Sequence, residues 1–598
     1  MSNAYISTWR IFLLAIGITL GFNGILARLY YLHVWDQENL AKIVKTNRNK
    51  IEIIHSRRGK VVDTRGNLLA TTNTVIELGV DPHVFVPEDI SKLPDLSHLI
   101  GLPLKELEAR IAKKTRQGSG HFGQKARNNH WSKLADKIGE TNYNKICALE
   151  IKGVYGNRKF ERLYPGESLA AHLVGFVNKE GNAVMGIERY MDFYLRGQDG
   201  WREIERDGHR RELAQFRQRE VDPTHGLNIE LTIDFMAQHI IEDELNKLAS
   251  TYQPQSAAII VSDPSTGYLL ALANWPTFDL NEFWKYPLDT HRNRAVSDIV
   301  EPGSTFKIVT VSGALNDSLV LPDTVFDCNQ AIVVYKGRRI SLPRDHKEYG
   351  SLSVSEVVSK SSNRGAAQLG MLLGPNRLYN YSAAFGFGSL SGYPLEGETA
   401  GILHPVREWD SLTISRLPIG YAVSATQLQI HYAMSVIANQ GVLMSPQLVR
   451  RVFDDNEVTI ASFRPRTRHR TLSAETANKV AQLLIRTVSP DGTAPLAFIP
   501  DYEIAGKTGT TKKIIKGRYS SRHHVTSFAG FFPASNPRLV ISVIVDDPQS
   551  SLPTYGGNVA APVFKKVAQR LIQYLDIQPP KQNHELYAMG GKIIDPLP

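Results

Sequence analysis

Glu301-Pro302-Gly303-Ser304-Thr305-Phe306-Lys307 is the stretch on which the fold and the chemistry of this chain turn. The Pro-Gly pair stops whatever precedes it, and the residues that follow predict a helix. Phe306, Ile308, Val309, Val311, Ala314 and Leu315 give that helix a broad apolar surface, as burial inside a domain requires. Ser304 and Lys307 are three apart and therefore rise from one face, a turn from each other. Ser304 also stands at the amino end, where unpaired backbone N–H groups and the helix dipole favour developing negative charge. A serine hydroxyl is a poor nucleophile by itself. A lysine amine within hydrogen-bond reach, kept partly neutral by burial and nearby positive charge, can take its proton.

A lone S-x-x-K says little, because a capped helix start with a solvated lysine produces the same pattern. Two further stretches change its weight: Ser361-Ser362-Asn363, and then Lys507-Thr508-Gly509-Thr510. The flanking sequence supplies a frame for them. Residues 257–261 and 268–273 predict a strand pair around the turn Asp263-Pro264-Ser265-Thr266-Gly267. Residues 526–532 and 539–545 predict a second pair, followed by a helix over 560–575. Strands at both ends with helices between them predict one α+β domain whose sheet joins early and late segments. Lys507-Thr508-Gly509-Thr510 precedes the late pair, on the strand expected to border the site.

Toward the amino terminus, residues 49–222 alternate short strands with helices. Residues 58–70 read as two strands around a polar turn, Glu161 to Gly166 as a turn, and residues 168–174 as a short helix. No convergent acids, bases or metal ligands occur there, which predicts a structural or docking role. Ile11 to Leu32 is a membrane-scale segment: the seventeen residues from Ile11 to Ala27 carry no charge. At ~1.5 Å per residue they nearly cross a ~30 Å hydrocarbon core. Arg28 can snorkel, Tyr30, Tyr31 and Trp35 form an interfacial belt, and the run into Arg-Leu-Tyr-Tyr-Leu favours an uncleaved anchor over a signal peptide. Arg10 precedes the segment while Lys42, Lys45, Arg48 and Lys50 follow it, so the positive-inside rule alone favours the reverse topology. Long domains translocate largely regardless of such charge.

Of the 598 residues, 42% are hydrophobic and 21% charged, which excludes an intrinsically disordered chain. The net charge of +10 suits an acidic polymer such as a carboxylate-bearing glycan, but no nucleic-acid motif is present. The basic runs Arg206 to Arg219 and Arg464 to Arg470 read as solvated faces. Cys147 and Cys328 are far apart and offer neither a disulfide framework nor zinc spacing, and His523-His524 lacks further spaced ligands. No cofactor and no metal is expected.

The trio S-x-x-K, Ser-x-Asn and K-T-G, in this order, resembles the signature of penicillin-binding proteins and serine β-lactamases. Three upstream elements look like the pedestal of class B penicillin-binding proteins: R-G-x-x-x-D-x-x-G-x-x-L-A from Arg58, Y-P-G-x-x-x-x-A-H-L-x-G from Tyr164, and G-I-E at Gly186. Thr232-Ile233-Asp234 with Gln238 resembles the way that family opens its catalytic domain, so the likeness runs from about Ser56 to Arg570. It implies an α+β fold: a penicillin-binding, serine β-lactamase-like transpeptidase domain with a sheet flanked by helices, preceded by an elongated α+β pedestal and a single transmembrane helix. The expected boundaries are a cytoplasmic stub at 1–10, the anchor at 11–32, the pedestal at 49–225, the transpeptidase domain at 226–576 and a tail at 577–598.

By that resemblance Ser304 is the acylated nucleophile, Lys307 its base, and the backbone N–H groups of Ser304 and Thr510 the oxyanion cradle. Ser361 relays a proton to the leaving amine, Asn363 holds the substrate amide, and Lys507 supplies positive potential. Thr508 and Thr510, with Gly509 between them, receive a terminal carboxylate such as that of D-alanyl-D-alanine or an opened β-lactam. Arg364 departs from the smaller residue the pattern favours and leaves the acceptor side open. The implied function is peptidoglycan D,D-transpeptidation outside the cytoplasm. Total length, a short stub and no appended carboxy-terminal domain resemble the septal, cell-division type. The implied partners are peptidoglycan stem peptides, β-lactam antibiotics, a membrane glycosyltransferase and division proteins. A D,D-carboxypeptidase carries the same motifs, a β-lactamase needs a device to activate water, and a β-lactam sensor or scaffold would show degraded motifs or extra membrane segments.

Overall fold

The structure, a computed structural model, describes residues 8–112, 115–116, 127–128, 131–205, 219–549 and 554–579. Most of the basic run from Arg206 to Arg219, the start of the stub and most of the tail lie outside them. The chain forms two compact units, residues 1–58 with 196–226, and residues 59–195 with 227–598.

In the first unit, Thr8–Tyr30 is an α-helix continued by a π-helical turn Tyr31–Trp35. Together Thr8–Trp35 spans about 42 Å at ~1.5 Å per residue. None of its side chains is buried against protein, which fits a single-pass membrane anchor. The helix extends a few residues past both ends of the apolar run because Thr8, Trp9 and Arg10 before it and the aromatics after it are compatible with helical backbone. A three-stranded sheet follows, in which Gly200–Glu205 lies between Asn49–Ile54 and Arg219–Val221. Asp199 pins its rim, accepting from the Ser56 backbone N–H at 2.7 Å and pairing with His55 Nδ1 at 2.9 Å.

The elements of the second unit that position the site are, in chain order, β1 (Val61–Val62), β2 (Leu68–Val80), β3 (Ser132–Ile138), β4 (Val154–Leu163), β5 (Asn228–Leu231), α1 (Phe235–Tyr252), β6 (Ser256–Ser262), β7 (Leu269–Trp275), α2 (Lys307–Asn316), α3 (Asn363–Leu373), α4 (Gln427–Ala438), β8 (Val449–Phe453), β9 (Thr459–Ser462), α5 (Ala474–Ile485), β10 (Ala505–Ile515), β11 (Arg518–Phe532), β12 (Leu539–Asp546) and α6 (Gly556–Tyr574). One sheet has the order β9-β8-β5-β1-β2-β3, with β4 also paired to β2, and a second has the order β7-β6-β12-β11-β10. The first sheet draws strands from both halves of the sequence, because β5 runs parallel to β1 and antiparallel to β8.

Sequence explains this join. Asp63, the acid of the R-G-x-x-x-D stretch, closes its own turn by accepting from the backbone N–H groups of Arg65 and Asn67. Its second oxygen accepts from Phe235 N at 2.8 Å. Asp234 caps α1 by accepting from Ala237 N at 2.9 Å, and also receives Arg65 Nε and the Tyr574 hydroxyl. Behind them, Arg162 and Glu188 form a buried ion pair at 2.6 Å, with Arg162 Nη1 on the Gly59 carbonyl. A charge buried this deeply must be paired and hydrogen-bonded to be tolerated.

The second sheet is covered on both faces, so β6 reads Ser-Ala-Ala-Ile-Ile-Val-Ser with every residue buried rather than alternating. Alternation survives as a choice between two cores. Ala257, Ile259 and Val261 join α1 and α6, including Phe564. Ala258 and Ile260 face the helical side with Phe306 and Val309. Each fully buried Ile or Phe contributes roughly 1.5–3 kcal/mol of hydrophobic stabilisation. β10 is the edge strand of this sheet and carries Lys507, Thr508, Gly509 and Thr510. The strands expected at 257–261, 268–273, 526–532 and 539–545 all form, in one α+β sheet joining early and late sequence.

Candidate active site

Gly303–Phe306 forms a 3-10 turn that leads directly into α2, so Ser304 sits in a tighter turn than an α-helical start would give. Gly303 adopts φ +57°, and a Cβ there would lie 2.4 Å from Thr511 Cγ2 on β10. Gly509 is equally constrained from the other side, since a Cβ would meet Ser527 Oγ at 2.4 Å and the Pro302 carbonyl at 3.0 Å. The two glycines let the serine turn lie against the edge strand. Ser304 is half-buried and faces a cleft of about 830 Å³ that is also lined by Ser361, Thr508 and Thr510.

Two buried lysines meet at Ser361. Lys307 Nζ donates to the Ser361 carbonyl (2.6 Å), to Ser361 Oγ (3.1 Å) and to Asn363 Oδ1 (2.8 Å). Lys507 Nζ donates to Ser361 Oγ (3.0 Å) and to Thr508 (3.3 and 3.4 Å). Ser361 reaches between them with φ +58°, a left-handed conformation that costs a non-glycine residue energy and that the surrounding contacts must hold. Lys307 is 1% exposed and Lys507 0%. Burial, and then the positive charge of Lys507, hold Lys307 well below the usual lysine value, with Asp345 opposing. Burial pushes Lys507 down to about 7. The proton affinity expected of a catalytic lysine is thus lowered by the two causes expected for it.

The structure brings Ser304, Ser361, Thr508 and Thr510 to one cleft and joins Lys307, Asn363 and Lys507 to it through Ser361. One detail differs from the sequence expectation. The hydrogen bonds described for Lys307 Nζ run to Ser361 and Asn363 rather than to Ser304, because three acceptors on the 361–363 turn surround its tip. An ammonium would use all three N–H groups on them, whereas the neutral amine keeps a lone pair. Asn363 is likewise engaged at both ends, since its Nδ2 donates to the Arg344 carbonyl at 2.9 Å. Thr510 Oγ1 accepts from Gly556 N at the amino end of α6 at 3.0 Å, and Thr508 Oγ1 pairs with Thr493 Oγ1 at 2.9 Å, so both threonine hydroxyls are held from behind.

Asp345 is the residue that sequence reading passed over. Its carboxylate caps α3, accepting from the Asn363 and Arg364 backbone N–H groups and from Ser362 Oγ at 2.9 Å. It therefore fixes the rotation of the Ser-Ser-Asn turn. No sequence spacing ties a loop acid to a cap seventeen residues downstream. Arg364 turns away from the chemistry and donates to the Cys328 and Asn329 carbonyls. Glu301 accepts from the Tyr519 hydroxyl at 3.1 Å and from Ala422 N, and burial pushes its carboxyl up. His523 pairs with Asp547 at 2.8 Å. Among the described residues no group of three or more His, Cys, Asp or Glu side chains could hold a metal ion.

An Asp345→Ala variant is expected to lose about 1 kcal/mol of capping and to slow acylation by a β-lactam about tenfold, the equivalent of 1.4 kcal/mol in the barrier. Denaturant unfolding and stopped-flow acylation measure the two separately; a rate within twofold of the parent would show that Asp345 does not hold the turn.

A covered five-stranded sheet, a serine-lysine helix start and an edge strand carrying K-T-G together define an acyl-transferring, penicillin-recognising class of domain. Residues 257–569 match the penicillin binding protein transpeptidase domain, and residues 53–231 the penicillin-binding protein dimerisation domain. The chain belongs to the class B penicillin-binding proteins. It is 30% identical over 590 residues to Stage V sporulation protein D of Bacillus subtilis, covering 98% of this chain and 88% of that one. It is 28% identical over 577 residues to the peptidoglycan D,D-transpeptidase FtsI of Escherichia coli, covering 96% and 93%. The crystal structure of penicillin binding protein 3 of Mycobacterium tuberculosis, complexed with aztreonam, is similar with a TM-score of 0.67 at 27% identity, over 88% of this chain and 99% of that one.

Proposed function

We propose that the chain cross-links peptidoglycan stem peptides as a D-Ala-D-Ala transpeptidase, working through an acyl-enzyme on Ser304. The observation that carries this reading is the convergence of two buried lysines on Ser361 Oγ at 3.0 and 3.1 Å, in the cleft that Ser304 faces. Neutral Lys307 takes the Ser304 proton as Oγ bonds to the penultimate D-alanine carbonyl carbon. The backbone N–H groups of Ser304 and Thr510 receive the oxyanion, a contribution of about 3–4 kcal/mol per donor. The C–N bond then breaks, a proton passes through Ser361 to the departing amine, and D-alanine leaves. Lys507, Thr508 and Thr510 hold its carboxylate, with Gly509 keeping the strand close to the serine turn, and Asn363 exchanges the Arg344 carbonyl for the substrate amide. An amine from a second stem peptide attacks the acyl carbon, and Ser304 Oγ regains its proton. A β-lactam enters the first half of this sequence and remains bound to Ser304.

The purified full chain, given a stem pentapeptide ending in D-Ala-D-Ala and an amine acceptor, is expected to release D-alanine and form the cross-linked product in step. Release with only the hydrolysed tetrapeptide would favour a D,D-carboxypeptidase instead.

Residues 49–225 serve as the pedestal and residues 226–576 as the catalytic domain in this reading, with 11–32 the anchor and 1–10 on the cytoplasmic side. The role is septal, beside a membrane glycosyltransferase and other division proteins. A reporter fused after residue 50 should be active only outside the cytoplasm, and a fluorescent fusion of the full chain should gather at the division site. Activity inside, or even distribution along the side wall, would overturn the topology or the septal role respectively.

A further inference from the structure

The cleft is much larger than a D-alanyl-D-alanine end requires. Besides Thr508 and Thr493, which pair through their hydroxyls, it is lined by Arg486, Asp491 and Lys347. In the acyl-enzyme reading, on which this inference rests, Thr508 and Thr510 hold the carboxylate of the departing D-alanine. The space beyond Thr508 is therefore the space past the leaving group. An acceptor amine must take the place that the leaving amine vacates, so its remaining atoms extend into that same space.

The residues there are chemically uneven. Glu356 and Lys360 satisfy each other at 3.0 Å. Lys347, Arg486 and Asp491 are exposed, and their side chains make no ion pair or hydrogen bond with any other described residue. The carboxy-terminal end of α5 favours a cation at Arg486 through the helix dipole. That preference explains neither Lys347, which comes from a different loop, nor Asp491 on the same cleft.

We propose that Arg486 and Lys347 form an acceptor subsite for a carboxylate distant from the reacting amine, with Asp491 attracting the ammonium before it loses its proton. The ligand class is an amino acid or peptide that carries a reactive amine and a second, distal carboxylate. A guanidinium fork and an ammonium lining one cleft bind such a group by charge-assisted hydrogen bonds. In the step itself the acceptor nitrogen bonds to the acyl carbon, the carbon–Oγ bond of Ser304 breaks, and the amine proton returns to Oγ. Arg486 and Lys347 take no part in that bond exchange.

The full-length protein in detergent, acylated by a thioester donor ending in D-alanine, is offered D-glutamate, D-2-aminoadipate or D-2-aminopimelate in competition with water. Each acceptor is paired with its distal amide. Wild type should partition toward the distal acid over the amide about tenfold at the best chain length, and Arg486→Glu with Lys347→Glu should abolish or invert that preference. The rate of β-lactam acylation, which no acceptor enters, reports whether the variant is folded. A wild type indifferent to the distal group, or a folded variant with the preference intact, overturns the subsite and leaves the acyl-enzyme standing. Absence of any acyl-enzyme in wild type overturns both.

Discussion

Ser304→Ala is expected to abolish covalent labelling by a fluorescent penicillin, in membranes and in the purified chain, while the protein stays folded. The hydroxyl is half-exposed and no other described residue accepts or donates a hydrogen bond to it, so its removal takes away a nucleophile and almost no packing. Loss of the nucleophile in a serine acyl transferase costs on the order of 10⁶ in turnover. For a covalent adduct the expected signal is background. Peptide mapping of the labelled wild type should find the added mass on the fragment containing Ser304. Unchanged labelling of the variant would transfer the nucleophile to another residue and dissolve the roles assigned around it.

Lys307→Ala should keep the adduct site but slow acylation by at least about a hundredfold, the lower end of general-base catalysis. Lys307 is buried and its amine holds Ser361 and Asn363, so part of the loss comes from a loosened turn. The pH profile separates base from strut. Because burial and Lys507 lower the proton affinity of Lys307, it is neutral and competent at high pH, and acylation falls as pH drops through its folded pKa. Lys507 acts in the opposite sense, charged and carboxylate-binding below about 7 and neutral above. The profile of kcat/KM, which reports the free enzyme, should be bell-shaped with its alkaline limb near 7. Lys307→Ala should flatten the acid limb, and Lys507→Arg should move the alkaline limb upward, since arginine keeps its charge. A folded Lys307→Ala protein with near-parental rates at every pH would rule the lysine out as base.

Much of this site is readable before any coordinates. Three short stretches carry local chemistry that spacing reveals, and the strand pairs around residues 257–273 and 526–545 are dense apolar runs bounded by turn residues. What sequence leaves hidden is long-range. Asp345 belongs to a loop whose partner lies across a short strand and a helix, and nothing in its neighbours announces a cap. The shared placement of Lys307 and Lys507 on one serine hydroxyl needs the left-handed turn at Ser361, which a serine does not advertise. Arg364 departs from the smaller residue expected there and leaves the acceptor side open in sequence, whereas its length carries the guanidinium to the Cys328 and Asn329 carbonyls.

The strand β5, stitched parallel to β1 and antiparallel to β8, has a practical corollary for dissection. A cut between residues 225 and 226 severs a hydrogen-bonded ladder rather than a linker. The excised catalytic fragment would present a raw, adhesive margin along β5 where β1 had lain. Each piece, once separated, leaves one strand of this sheet without the neighbour it pairs with in the whole chain.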